Sequence, residues 1–121
     1  MPTPHFTSIM PSVPVEDLPR AVTFYAEQLG FEVEFQNGTT YAIVSRDGIQ
    51  LGIAAPPLST VPAGCGRCYF KLSAGIDELY EGYRAQGVTI LHELRDESYG
   101  MREFMIADID QNRINFGQPR D

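Results

Sequence analysis

The first strong periodic pattern along the chain is a helical one. Apolar residues recur every three to four positions over residues 18–29, which is the spacing of an amphipathic helix. Asp17 is placed to cap this helix, Pro19 falls in its first turn, and Gly30 is a typical residue for ending it. The segment therefore predicts a helix with one buried face, formed by Leu18, Ala21, Val22, Tyr25 and Leu29.

Strand-like segments flank this helix on both sides. Residues 8–15 precede it and contain Pro11 and Pro14, which lack the N–H that a central strand needs. We expect this segment to be an edge strand, or one exchanged with a second copy of the chain. Turn dipeptides at 37–38 (Asn-Gly) and 47–48 (Asp-Gly) separate the apolar runs that follow. Three strands are therefore predicted after the helix, at 31–35, 40–45 and 49–54.

The same order of elements begins again in the second half of the chain. Residues 55–66 are rich in Pro, Gly, Ser and Ala without periodicity, and they predict a linker. The Gly87-Val88 pair then ends a second helix 57 positions after Gly30-Phe31 ends the first. Around that helix, strands are predicted at 68–73, 88–92, 102–107 and 113–117. The pattern leaves open an internal duplication or a coincidental order of elements in an α+β domain.

Composition limits the class of protein to which the chain can belong. At 121 residues and 43% hydrophobic content, it suits a single domain with one core. No apolar run approaches a membrane span, and no secretion signal precedes the domain, so a cytoplasmic location with no membrane partner is expected. A net charge of −7 argues against nucleic acid as a partner. This negative charge either favours cationic ligands or only keeps the protein soluble.

Cysteines and histidines offer little metal or redox chemistry. Cys65 and Cys68 have the spacing of a redox dithiol or of half a zinc site. However, the pair leads directly into a predicted strand, where a redox pair would normally begin a helix. A zinc site would need two further ligands, and only His5 and His92 accompany the carboxylates. We expect both histidines to be solvated and the cysteine pair to have no function.

Three stretches identify the chain as similar to a known superfamily. They are PVEDLPRAVTFYAEQLGFEVEF (14–35), AGIDELYEGYRAQGV (74–88) and YGMREFMIADIDQNRINFGQP (99–119). Together they resemble the vicinal oxygen chelate superfamily, which contains glyoxalase I, extradiol dioxygenases, fosfomycin-resistance enzymes and bleomycin-resistance proteins. One departure is the turn at 108–112, where Gln111 stands in place of the usual glycine. This change makes a positive-φ turn more costly.

The resemblance implies an α+β fold of two βαβββ modules, whose eight strands curve around a cleft. Module 1 is expected at about 6–55, the linker at about 56–66, and module 2 at about 67–119, all within one domain spanning 1–121. The resemblance also implies a homodimer.

Four positions decide whether the superfamily's metal chemistry is expected. The resemblance places its metal ligands, mostly His and Glu, at symmetry-related strand positions that hold Met10, Gln50, Cys68 and Asn115 here. Two neutral amides and a thioether cannot balance a divalent ion, so no metal, no other cofactor and no catalytic residue is predicted. A register one residue away in the fifth strand would instead turn Arg67, Tyr69 and Lys71 inward. That register introduces no histidine either.

A resemblance to the metal-free bleomycin-resistance proteins suggests how the cleft is used. By that resemblance, Tyr41 and Tyr99 correspond to pocket aromatics, and we add Phe70 to the same wall. Gln50 and Asn115 are expected near the floor, where their amides offer donors and acceptors. The chain lacks tryptophan, which argues against specific binding of bleomycin itself. The ligand-binding set is therefore predicted to be Met10, Tyr41, Gln50, Cys68, Phe70, Tyr99, Arg102 and Asn115, although Arg102 with Glu103 also suits a structural pair.

Three functions remain open from the sequence. The leading hypothesis is a metal-independent protein that binds a small molecule, of aromatic and cationic character, and sequesters it as a drug. The second is a glyoxalase-type lyase, isomerase or dioxygenase with non-standard metal ligands. The third is a dimeric module whose cleft is vestigial.

Overall fold

The strands and helices follow one another in the predicted order. The computed structural model describes residues 2–120. The first half contains β1 (Ser12–Pro14), α1 (Leu18–Thr23) continued by a π-helical turn (Phe24–Gln28), β2 (Glu32–Asn37), β3 (Tyr41–Arg46) and β4 (Ile49–Ala54). The second half contains β5 (Arg67–Lys71), α2 (Ile76–Ala85), β6 (Thr89–Asp96), β7 (Met101–Ala107) and β8 (Arg113–Pro119).

These eight strands form two four-stranded sheets. Sheet A has the order β1-β4-β3-β2, and sheet B has the equivalent order β5-β8-β7-β6. In each sheet the first strand pairs parallel with the last, and the remaining pairs are antiparallel. The α+β fold of two βαβββ modules is thus confirmed. The proline-bearing β1 lies at the edge of sheet A, as predicted, and pairs with β4 of the same chain.

Local chemistry explains the first helix. The Asp17 side chain accepts a hydrogen bond from the Arg20 backbone N–H at 3.1 Å, which satisfies one of the free amides in the first turn. Gly30 ends the helical segment with a φ of +78°, a conformation that glycine adopts without steric cost. The predicted apolar face is buried throughout, at residues Leu18, Ala21, Val22, Tyr25 and Leu29.

A buried polar network fastens the two modules together. The Tyr25 hydroxyl of module 1 donates to Asp108 Oδ2 at 2.7 Å, at the turn between β7 and β8. Asn112 donates through Nδ2 both to Asp108 and to the backbone carbonyl of Pro14. Asp108 and Asn112 are 2% and 0% exposed, so these bonds form away from water. A hydrogen bond between neutral groups contributes about 0.5–1.5 kcal/mol, and one to a charged group about 1.5–3 kcal/mol.

The same turn contains Gln111 in place of the usual glycine. Gln111 adopts a φ of +73°, in the left-handed region that favours glycine. Asp108 Oδ1 accepts hydrogen bonds from the backbone N–H groups of Asp110 and Asn112, both at 2.9 Å. These bonds hold the turn in shape and offset the strain at Gln111.

Each sheet has one face covered by a helix and one open face. On β3, Ala42 and Val44 are fully buried on the helix-bearing side, whereas Tyr41 and Ile43 alternate onto the open side. An aromatic chain joins the helix-bearing sides of the two modules, beginning with Phe31 against Phe70 at 5.6 Å between ring centroids. The shared core therefore lies between the modules, and the open faces lie outside it.

Candidate functional site

The open face of sheet A, here called open face A, is formed by Tyr41, Ile43, Ser45, Gln50, Gly52, Ala54, Phe35 and Glu34. Tyr41 extends across the sheet, so that its hydroxyl would be 3.0 Å from a Cβ at Gly52. Its ring also packs against Phe35 at 6.5 Å between centroids. Gly52 therefore lets an aromatic ring lie flat on the centre of this face.

A carboxylate on open face A is held by neutral groups. Gln50 Nε2 donates to Glu34 Oε1 at 3.0 Å, across the bulge in β2. Hydrogen bonds from Ser45 and Gln50 to the charged form hold the pKa of Glu34 below its usual value. Glu34 therefore stays ionised at neutral pH and gives this face a fixed negative charge.

The open face of sheet B, here called open face B, is formed by Arg67, Tyr69, Lys71, Met101, Glu103, Met105, Arg113, Asn115 and Gly117, with His92 and Arg95 on the outer strand. A pocket of about 260 Å³ lies on this face. Tyr99, Glu103, Met105 and Asn115 are among its lining residues. The face is more charged than open face A.

Two tyrosines converge on one glutamate in open face B. The Tyr69 hydroxyl donates to Glu103 Oε2 at 2.6 Å, and the Tyr99 hydroxyl donates to Glu103 Oε1. Burial, followed by the hydrogen bond to Glu103, raises the pKa of Tyr69, while the hydrogen bond to Glu103 is the main reason that the pKa of Tyr99 rises to about 12. Both phenols are therefore neutral donors at physiological pH.

The register of β5 corrects the placement of Cys68. In the parallel β5–β8 pair, Tyr69 lies opposite Asn115 and Cys68 lies opposite Ile114. Cys68 therefore packs against the core, where burial raises the pKa of its thiol to about 12. Of the two registers considered from the sequence, the one that turns Tyr69 to the open side is observed, because the apolar alternates of β5 are needed to cover the core.

Two other predicted site residues also lie on the helix-bearing side of sheet B. Phe70 packs between Phe31 and Phe116, with centroid distances of 5.6 Å to each. Arg102 pairs with Asp77 at 2.8 Å and Asp96 at 3.2 Å. Neither side chain shares a face with Tyr99 or Asn115. Arg102 therefore has the structural role that was the alternative interpretation. Its ion-pair partners are the two aspartates and not Glu103.

The remaining predicted residues divide between the two open faces. Tyr41 and Gln50 lie on open face A, and Tyr99 and Asn115 lie at open face B. Met10 lies just before β1 and is 38% exposed. The small pocket on open face B has neither Tyr41 nor Gln50 in its lining. A pocket shared by both modules was expected within the chain, but the core between the modules separates their open faces.

The residues at the superfamily's metal positions do not fit a metal ion. Lys71 pairs with Gly117 as Ser12 pairs with Gly52, so the β5 position equivalent to Met10 is Tyr69. The set is then a thioether, a phenol with a raised pKa and two amides. Within residues 2–120, no group of three or more His, Cys, Asp or Glu side chains could hold a metal.

Sequence reasoning missed the centre of open face B. A side chain at Gly117 would overlap the Tyr69 hydroxyl, so this glycine is what allows Tyr69 to lie across the sheet towards Glu103. The alternation of Arg67, Tyr69 and Lys71 with apolar neighbours was the available signal. Counting residues back from the following helix suggested the other register, because the loop between strand and helix differs in length between the modules.

Comparison with known proteins places the chain in a family. A family model described as the Glyoxalase/Bleomycin resistance protein/Dioxygenase superfamily matches residues 4–116. The chain belongs to this superfamily. A bleomycin resistance protein from Geobacillus stearothermophilus is 31% identical over 127 residues, covering 90% of this chain and 94% of the relative. A bleomycin resistance protein from Staphylococcus aureus matches with the same identity and coverage.

Solved structures agree with this assignment. TnmS3, an antibiotic binding protein from Streptomyces sp. CB03234, has a TM-score of 0.83 and 26% identity, covering 98% of this chain and all of that one. The bleomycin-binding protein of Streptomyces verticillus, complexed with copper(II)-bleomycin, has a TM-score of 0.80 at 23% identity, with 98% and 100% coverage. Lactoylglutathione lyase from Agrobacterium tumefaciens has a TM-score of 0.79 at 19% identity, with 95% of each chain covered. The last two likenesses concern the fold alone. No helix within residues 2–120 has the length and apolar character to cross a membrane.

Proposed function

We propose that this superfamily member binds a small aromatic, cationic molecule and sequesters it, without a metal and without converting it. The observation that carries the proposal is the Tyr69–Glu103–Tyr99 cluster on open face B, of which Glu103 and Tyr99 line the pocket. Two neutral phenols hold one carboxylate there, and that carboxylate forms no ion pair within the described residues. A ring face beside an uncompensated negative charge suits a flat cation.

The binding site is completed, in this proposal, by a second copy of the chain. Open face A brings Tyr41 and the carboxylate of Glu34, and open face B brings Tyr69, Tyr99 and Glu103. Pairing face A of one copy with face B of the other would put both sets around one cleft and would cover apolar surface such as Phe35, which is 50% exposed.

Charge complementarity supports this pairing. Open face A carries Glu34 and also Glu32, which lies opposite Ser45 on β2. Arg67, Lys71 and Arg113 of open face B form no ion pair within residues 2–120. Opposite charges across an interface favour association and fix its register. The homodimer would thus present two equivalent clefts.

The relatives support drug binding as the purpose of the cleft. The 31% identical proteins are described as bleomycin resistance proteins, and TnmS3 as an antibiotic binding protein. Sequestration needs only affinity, which agrees with the poor set of ligating and catalytic side chains on the open faces. A cytoplasmic location, where such a protein would intercept a drug, belongs to the same proposal.

The first test is the substitution Tyr41→Ala. Loss of one stacking ring should weaken binding of bleomycin, or of another aromatic cationic drug that stabilises the native protein, by roughly tenfold. Isothermal titration calorimetry of native and variant protein measures the change. The free energy of unfolding should change little, because Tyr41 lies on an open face.

A matched control is Leu58→Ala, which removes an exposed apolar side chain in the linker, outside the strands of both sheets. Its affinity should equal that of the native protein. The proposal fails if Tyr41→Ala binds as well as the native protein. It fails equally if a chelator-sensitive metal is required for binding.

A further inference from the structure

A second groove lies on the opposite side of the protein from the open faces. It has a volume of about 650 Å³ and runs along the junction of the two modules, on their helix-bearing sides. We name it the junction groove; Phe31, Arg46, Phe70, Leu79 and Tyr83 are among its lining residues. Its volume falls in the range of roughly 300–1,000 Å³ that is usual for small-molecule sites.

Aromatic rings form the apolar part of this groove. Phe70 packs against Phe31 and is stacked on Phe116, with both pairs at 5.6 Å between centroids. Leu79 and Phe70 are only partly buried, so the groove presents apolar surface to solvent. A ligand with a flat apolar body would cover this surface.

Arg46 provides a fixed cation beside those rings. Its Nη1 donates to the backbone carbonyl of Leu29 at 2.7 Å and contacts the Tyr83 hydroxyl at 3.4 Å. A Cβ at Gly30 would be 2.8 Å from this nitrogen, so the chain leaves room for the guanidinium there. The guanidinium is thus held in place by neutral partners through one nitrogen, and Nε and Nη2 make no hydrogen bond within the described residues.

The charge on Arg46 is not neutralised. Arg46 forms no ion pair within residues 2–120, although the protein as a whole is acidic. Glu27, Asp47 and Glu78 also line the groove and are exposed, and none of them pairs with Arg46 in the described part of the chain. A guanidinium with two free nitrogens is the group best suited to bind a carboxylate through two parallel hydrogen bonds.

We infer that the junction groove binds small aromatic monocarboxylates, with the ring over Phe70 and the carboxylate on Arg46. This site is separate from the proposed drug cleft, because the shared core lies between them. It requires neither a second copy of the chain nor a cationic ligand.

The test uses 2-naphthoate and its neutral analogue 2-naphthamide as probes of the native protein. Calorimetry should show saturable binding of 2-naphthoate, and at least about tenfold weaker binding of 2-naphthamide, since a charged hydrogen bond is lost. Arg46→Met should weaken the binding of 2-naphthoate by a similar factor. Arg84→Met, on the exposed side of α2 and outside the groove lining, should leave it unchanged.

Equal binding of acid and amide, or full affinity for 2-naphthoate in Arg46→Met, would overturn the inference. If Arg46→Met does not fold, the comparison of acid and amide on the native protein decides the matter. Loss of bleomycin binding in Tyr41→Ala would not affect either result.

Discussion

The open faces of the two sheets each hold one carboxylate with neutral donors, but they use different side chains to do so. On sheet A, Glu34 accepts from the amide of Gln50. On sheet B, Glu103 accepts from the phenols of Tyr69 and Tyr99. The strand order is the same in both sheets, so the difference lies in the side chains on equivalent strands and in Tyr99, which comes from the loop between β6 and β7.

The equivalent amides show this divergence most clearly. Gln50 and Asn115 occupy corresponding positions, two residues before Gly52 and Gly117 in the last strand of each sheet. Gln50 is committed to Glu34, whereas Asn115 Oδ1 is buried without a hydrogen-bond partner in the described chain. Sheet A thus has a self-satisfied polar centre, and sheet B keeps hydrogen-bonding capacity that only a partner or ligand can use.

The largest expected difference between the sheets concerns their central glycines. Gly117→Ala should lower the free energy of unfolding by about 1–3 kcal/mol, because the new Cβ would lie 2.5 Å from Tyr69 Cζ and the ring must move. Gly52→Ala should change it by less than about 1 kcal/mol, since its contacts are the Tyr41 and Ser12 hydroxyls, which can move away. Urea unfolding of both variants measures the contrast.

A double variant checks the cause of this loss. Adding Tyr69→Ala to Gly117→Ala removes the ring that the new methyl group meets. The losses in unfolding free energy of the two single variants, Gly117→Ala and Tyr69→Ala, should therefore sum to more than the loss in the double variant. Strict additivity would contradict the proposed contact.

The next effect concerns the phenols on sheet B. Glu103→Gln removes the charged acceptor, so the pKa of Tyr99 should fall from about 12 towards its usual value near 10. Phenolate absorbance during an alkaline titration reports this change. Glu93→Gln, which alters a carboxylate in the same pocket that is not bonded to Tyr99, serves as the control. An unchanged titration in Glu103→Gln would show that the cluster does not form in solution.

The smallest effect is expected on sheet A. Gln50→Leu removes one of the donors that hold the pKa of Glu34 below its usual value of 4.5, so that pKa should rise. A carboxylate with a lowered pKa in the folded state stabilises the protein above its unfolded pKa, and this contribution is lost as the pH falls through the folded value. NMR titration of the Glu34 carboxyl, with Gln36→Leu as control, tests the shift. Equal Glu34 pKa values in native and Gln50→Leu protein would show that the amide contact is absent.

Much of the fold could be predicted from the sequence because its signals are local. The cap at Asp17, the helix-ending Gly30 and the apolar face of α1 depend on neighbours within a few residues. Proline in β1 likewise indicated an edge strand without any knowledge of its partner. The resemblance of three motifs to the superfamily indicated that the module is duplicated.

The tertiary structure decided on which sheet face each side chain of the site lies. Tyr41, Gln50, Tyr99 and Asn115 could be selected from the sequence by their side-chain chemistry. The face that each one occupies depends on strand register. A shift of one residue exchanges the faces, and in β5 the core's need for Cys68 and Phe70 turned Tyr69 outward.

The sequence by itself determined the superfamily, the order of elements and the poor supply of metal ligands, since these follow from residue identity and near-neighbour spacing. Only the tertiary structure decided that Tyr69 meets Glu103 over Gly117, and that the open faces lie on either side of a shared core. Those contacts join residues 34 or more positions apart. Packing of the whole chain, and not local preference, brings such residues together.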